Sequence, residues 1–190
     1  MKRAIVGFLA VFLTMTMMAS TTEAQTMVID QVQAVIDSSV GGLAIGGDSN
    51  QRLAQTMIAG IDGRLTGIML PIVCESGRLI VEIRDVVAGE PGPNVLSRRR
   101  FRAERIPDLG ATFQFFRVRG GGLYLMAGDQ FAIVLDNRTG SCGIFRGPVG
   151  DPYSAGEGFF EALPNPPGWV PFSETETRLD LPFMTVVRVP

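Results

Sequence analysis

With no histidine among its 190 residues, this chain leaves proton transfer to carboxylates, tyrosines and arginines. Ser-His and Cys-His nucleophile systems are excluded, as is any zinc site that needs imidazole. Lys2 is the only lysine, so Schiff-base and Ser-Lys chemistry disappear if the N-terminus is removed. Glu174 and Glu176 stand two apart, and in a strand they would face the same way at a separation a glycosidase uses. Glu157 with Glu161, and Asp48 with Asp62, are the other carboxylate pairs that convergence of loops would bring together. Tyr124 and Tyr153 are the only tyrosines, and with arginine they are what a histidine-free polysaccharide lyase would draw on. Carboxylate pairs on solvated loops outnumber catalytic dyads, so no catalytic residue is assigned.

Binding chemistry is better represented. A sugar ring offers an apolar C–H face and a rim of hydroxyls, which asks for an exposed aromatic beside polar groups. Trp169, the sole tryptophan, follows Pro164-Asn165-Pro166-Pro167-Gly168, a segment unsuited to a central strand. Tyr153 lies on the turn after Asp151, and Asp151 or Glu157 would accept hydroxyl hydrogen bonds. Trp169, Tyr153, Asp151 and Glu157 are therefore the expected ligand-binding set; the competing reading has Trp169 capping the fold and Tyr153 propping its turn. Arg98-Arg99-Arg100-Phe101-Arg102 is the densest charge cluster. It suits a sulfated or uronic polysaccharide, and equally an edge strand whose charges discourage pairing with another chain. Asn137-Arg138-Thr139 fits a glycosylation sequon. Asp48-Ser49-Asn50, Asp136-Asn137 and Asp151 supply oxygen ligands in turns, but no contiguous calcium loop exists, so no metal ligand is assigned. No other cofactor is expected.

Lys2 and Arg3 precede an uncharged run, Ala4 to Thr22, and Thr22-Glu23-Ala24 then offers small residues where a signal peptidase reads them. Threonines and serines dilute the second half of that run below what a membrane span needs. The expectation is a signal peptide over 1–24, cleavage before Gln25, no stable membrane anchor afterwards, and a secreted or periplasmic domain over 25–190. In such a compartment Cys74 and Cys142, the only two cysteines, pair by default, a link the loop-entropy model values at about 4 kcal/mol. A net charge of -2 leaves no excess for a phosphate backbone, so nucleic acid is not an expected partner.

The positioning elements read as strands. Leu79, Val81 and Ile83 alternate, as do Phe131, Ile133 and Leu135, then Ile68, Leu70 and Ile72, and finally Phe183, Thr185 and Val187. Between Phe115 and Phe116 the apolar phase slips, which a bulge would produce. Asp30 to Ile36 fits either a strand or a short helix. Turns are expected at Ile61-Asp62-Gly63 and Arg119-Gly120-Gly121-Gly122, with a loop at Pro91-Gly92-Pro93-Asn94. About 8–10 short strands separated in this way predict an all-β, single antiparallel β-sandwich.

Leu53-Ala54-Gln55-Thr56, Gly77 to Ile83, Gly128 to Leu135, Asp151 to Gly158 and Asp180 to Thr185 follow one another in an order that resembles bacterial secreted jelly-roll domains of the galactose-binding-like or carbohydrate-binding-module kind. Where many such domains carry a tryptophan, this chain has Cys142-Gly143-Ile144. The resemblance implies a jelly-roll sandwich, a structural calcium in many members, and an extracellular glycan or other surface component as partner. The combined expectation is an exported, non-catalytic binding module. A self-associating matrix protein and a polysaccharide-acting enzyme using carboxylates or Tyr and Arg are the alternatives.

Overall fold

The computed structural model describes residues 25–162, 168–175 and 179–189. Its strands are β1 (Thr26–Gln33), β2 (Leu43–Gly46), β3 (Gln51–Ile58), β4 (Gly63–Leu70), β5 (Ile72–Cys74), β6 (Arg78–Val87) and β7 (Glu90–Arg102). The second half adds β8 (Gln114–Arg117), β9 (Leu123–Leu125), β10 (Gln130–Asp136), β11 (Ser141–Ile144), β12 (Gly158–Ala162), β13 (Val170–Pro171) and β14 (Phe183–Val189). Four single 3-10 turns are the only helical pieces among the described residues. The protein is all-β, and its strands pair antiparallel throughout.

Two sheets share one core. The five-stranded sheet runs β1-β14-β4-β8, with β9 also on β4. The nine-stranded sheet runs β5-β11-β2-β3-β10-β6-β7, with β12 on β3 and β13 on β12. The alternating residues meet between them. Leu79, Val81, Ile83, Phe131, Ile133 and Leu135 from one sheet form a single buried cluster with Leu65, Ile68, Leu70, Phe183 and Val187 from the other. Phe131 and Phe183 have no exposed surface, and truncating either to alanine is expected to cost about 3–5 kcal/mol.

Several expectations are corrected. Among the described residues fourteen strands stand where 8–10 were expected, in part because the chain switches sheets where one long strand was read. Pro71 cannot donate to a ladder, so β4 ends at Leu70 in the five-stranded sheet and β5 begins at Ile72 in the nine-stranded one. Asp30 to Gln33 is strand, not helix, and the Gln33 amide then holds the Val35 backbone through N–H···Oε1 at 2.7 Å and Nε2–H···O at 3.2 Å. Pro91 to Asn94 is not a loop but the start of β7. That strand ends the sheet order, where a missing N–H matters least, and the Asp85 carboxylate accepts from Asn94 N and Nδ2. The reversal itself falls on Ala88 and Gly89, both at positive φ (53° and 87°), between paired Val87 and Glu90. This is a two-residue turn of the kind that suits hairpin twist. No bulge lies in the β4–β8 ladder, where the pairing from Gly67–Arg117 to Leu70–Gln114 is regular; the slip at Phe115 has a different cause, described below.

Cys74 and Cys142 are joined in a disulfide as opposed residues of β5 and β11. Beside it Asn137, 1% exposed, donates through Nδ2 to Ser76 O at 2.9 Å and to Cys142 Sγ at 3.2 Å. Its Oδ1 accepts from Arg78 N and Thr139 N, both at 3.2 Å. The sequon asparagine is thus a buried clamp whose amide nitrogen is engaged on both sides, unsuited to carrying a glycan. Asn137→Ala should lower unfolding free energy by about 2–3 kcal/mol, since it orphans buried partners. Thr139→Val, which destroys the sequon equally well, should change it by less than about 1 kcal/mol. Urea melts of the two variants check this, and equal effects would dismiss the clamp.

Candidate functional site

Opposed residues of neighbouring strands point to the same face of a sheet, so the pairing register defines what the five-stranded sheet shows to solvent. One row reads Val32, Met184, Met69, Phe115; the next reads Ile29, Val186, Gly67, Arg117; the third reads Met27, Arg188, Arg64, Tyr124. Phe115 is 47% exposed and Tyr124 55%. Among the described residues these are the two exposed aromatics, and both come from short strands along one border of the sheet.

Gly67 seats Phe115. The ring edge of Phe115 occupies the space a Gly67 side chain would fill, so the phenylalanine lies across the neighbouring strand rather than standing off it. A register shift between Val186 and Val187 inserts Thr66 as an extra residue in β4. Its hydroxyl donates to Val186 O at 3.1 Å and approaches Met27 Sδ at 3.8 Å. Thr66, Met27, Phe115, Arg117, Gly121 and Arg188 together line an open depression of about 200 Å³. Arg188 is oriented by its Nη2 bond to Gly121 O at 3.3 Å. That contact relies on the glycine turn over residues 119–122, where Gly120, Gly121 and Gly122 all have positive φ. Among the described residues, Arg64, Arg117 and Arg188 form no ion pair. The face therefore offers ring surfaces flanked by unneutralised guanidinium donors.

The expected binding residues take other positions. Tyr153 is buried, with 7% of its surface exposed; its hydroxyl donates to Gln31 Oε1 at 2.8 Å and its ring meets Phe183 edge-on at 5.1 Å. Burial pushes its pKa up to about 12, the opposite of what a lyase base requires. Trp169 is half-buried on the outer side of the nine-stranded sheet, packed on Ala54, Val134 and Phe159. The Arg52 guanidinium stands 5.0 Å from its ring centroid, held there by an ion pair with Glu161, and Glu161 Oε1 accepts from Gly168 N at 3.1 Å. Asp151 and Glu157 do share a small cleft with Ser173 and Asp180, but Glu157 Oε1 accepts from Ser173 N at 3.2 Å. Trp169 and the Asp151–Glu157 cleft are thus built on different contacts.

The carboxylate pairs separate in the same way. Asp48 and Asp62 flank opposite ends of β3. Glu174 sits in the 3-10 turn Phe172–Glu174, while Glu176 lies outside the described residues. Asp136 is bound by Arg138 at 2.8 Å, and no group of three metal-ligating side chains gathers among the described residues.

Sequence reasoning named Tyr124 only as a tyrosine a lyase would draw on and Phe115 only at the phase slip, and gave Arg64, Arg117 and Arg188 no role. The signal was present: the slip between Phe115 and Phe116 is an outward phenylalanine next to an inward one, Phe116 being 4% exposed. Fold and site together define an all-β, two-sheet protein with an exposed aromatic and arginine face on its smaller sheet. The chain matches no family model and no curated protein sequence.

Among the described residues Asp180, 3% exposed, is the one carboxyl whose ionisation is markedly displaced upward. Burial raises its pKa to about 6, against opposing hydrogen bonds from Gln55 and Tyr153 N, with Asp151 and Glu157 adding repulsion. The folded state keeps this proton from about pH 4 to 6, where the unfolded chain has released it. Asp180 therefore favours the fold most below about pH 4, and that contribution is lost as pH rises through about 6. The stability difference between wild type and Asp180→Asn should shrink or reverse by about 2 kcal/mol from pH 4 to pH 7. Denaturant titrations across that range test it, and a pH-independent difference would refute it.

Proposed function

We propose that this protein is an exported, non-catalytic binding module, a jelly-roll-like sandwich that holds carbohydrate along the outer face of its five-stranded sheet. The observation that carries the reading is Phe115 seated on Gly67, with Tyr124 two rows away and Arg64, Arg117, Arg188 and Thr66 around them. Flat aromatic surface and a rim of fixed donors are what a sugar's C–H face and hydroxyl oxygens require. The disulfide supports an oxidising compartment, and no helix among the described residues is long and apolar enough to cross a membrane. The resemblance of the strand motifs to carbohydrate-binding modules belongs to the same proposal, as does cleavage before Gln25.

A glycan array followed by titration with the best neutral oligosaccharide tests the reading. Phe115→Ala and Tyr124→Ala should each weaken binding at least about tenfold, a loss of about 1.4 kcal/mol, while melting temperatures stay within a few degrees of wild type. Trp169→Ala should leave affinity unchanged. Retained affinity in both sheet-face variants would overturn the assignment.

One observation favours a second reading, self-association through the same face. Met27, Ile29 and Val32 on β1 are each about half exposed (51%, 49% and 49%), more apolar surface than sugar stacking uses. Light scattering over a concentration series separates the two: mass that rises with concentration and is abolished by Ile29→Asp supports assembly.

A further inference from the structure

The outer face of the β6–β7 ribbon carries a second set of arginines that the sheet-face reading does not use. Cross-strand pairs there set Arg98 opposite Glu82, Arg100 opposite Ile80 and Arg102 opposite Arg78. Glu82 neutralises Arg84 at 2.6 Å and Arg98 at 2.5 Å, and Asp136 neutralises Arg138. Among the described residues Arg78, Arg100, Arg102 and Arg105 have no such partner. Like charges directly opposed across a ladder cost stability. A local rule broken without compensation inside the chain points to compensation from outside it.

Arg105, from the 3-10 turn Ala103–Arg105, closes the arrangement. With Arg78, Arg102, Glu104, Gly77 and Thr139 it lines an open groove of about 730 Å³, in which three guanidinium groups face one carboxylate. Protection of an edge strand explains charges on β7. It does not explain Arg78, which sits on the strand inside that edge, nor Arg105, which lies beyond it. Outward positions 98, 100 and 102 continue from the groove at about 7 Å spacing along β7. No apolar side chain lines the groove, so nothing there enters a lipid layer, and the chain's net charge of -2 opposes the long-range attraction a nucleic acid needs.

We propose that this groove binds an acidic polysaccharide, with the guanidinium groups of Arg78, Arg102 and Arg105 taking its carboxylate or sulfate groups. Planar guanidinium forks match both anions bidentately, and the row along β7 extends the contact over successive charged residues of one polymer. The inference rests on the glycan reading above for the class of polymer, but not for the site.

The test is titration of the exported chain with polygalacturonate at low and at physiological salt, with neutral dextran and single-stranded DNA in parallel. Wild type should bind polygalacturonate, more weakly as salt rises, and should not bind dextran through this groove. The double variant Arg102→Gln/Arg105→Gln should lose at least about tenfold in affinity and show a shallower salt dependence, whereas Trp169→Ala should bind the polyuronate as wild type does. Both arginines are exposed and removing Arg102 relieves its opposition to Arg78, so the melting temperature should hold or rise slightly; if the double variant unfolds, Arg78→Gln alone should still show a several-fold loss. Folded variants that bind like wild type, absence of polygalacturonate binding, or DNA binding more tightly than the polyuronate would each overturn the proposal. Neutral glycans failing on the Phe115 face while polygalacturonate binds here would overturn the sheet-face reading and leave this one standing.

Discussion

Gln55 ties the two sheets together. From the middle of the nine-stranded sheet its Nε2 donates to Asp180 Oδ1 at 2.8 Å, and its Oε1 accepts from Leu181 N at 2.8 Å. These are the residues that lead into β14, an interior strand of the opposite sheet. Asp180 Oδ2 passes the connection to Tyr153 N at 3.1 Å, and the Tyr153 hydroxyl to Gln31 on β1. An apolar layer alone tolerates sliding of one sheet over the other, whereas a buried polar chain is stable only in the arrangement that satisfies every member. The relative placement of the sheets, and with it the direction of every inward residue, follows from that requirement.

Once the inner faces are fixed, the two-residue period of a strand fixes the outer ones. The two sheets resolve their outer faces differently. On the larger one Glu82, Asp136 and Glu161, all buried, are each covered by arginines, and Arg52, which pairs with Glu161, also lies over Trp169. Charge there is balanced within the chain at these three carboxylates, away from the arginines at the end of the β6–β7 ribbon. The smaller sheet carries no carboxylate in its three outward rows, so its guanidinium groups and aromatic rings stay open to solvent. The same register that hides Phe183 and Val187 thus presents Arg188 and Met184.

The alternation of Leu79, Val81 and Ile83, and of Phe131, Ile133 and Leu135, was legible because burial of one face imposes a period that survives any tertiary arrangement. So was the cysteine pairing, because only two thiols existed. The number of strands was not legible, since Pro71 reads as an ordinary interruption whether the chain resumes in the same sheet or in the other. Nor was the site. Aromatic residues were ranked by rarity and by neighbouring turn residues, which selected Trp169 and Tyr153. Exposure is instead decided by register against distant strands, and the bulge at Thr66 that sets the register around Gly67 leaves no local mark in the sequence.

The edges of the sheets are unequal, and this limits what assemblies the fold permits. β7 carries Pro91, Pro93 and a run of arginines along its length, a border that repels a further strand. β1, at the border of the smaller sheet, has no proline and no basic residue. A copy that adds through β1 meets the β1 of its neighbour, and that pairing consumes the β1 border of both chains at once. Growth by this route stops at a closed two-fold pair and does not propagate into a fibre.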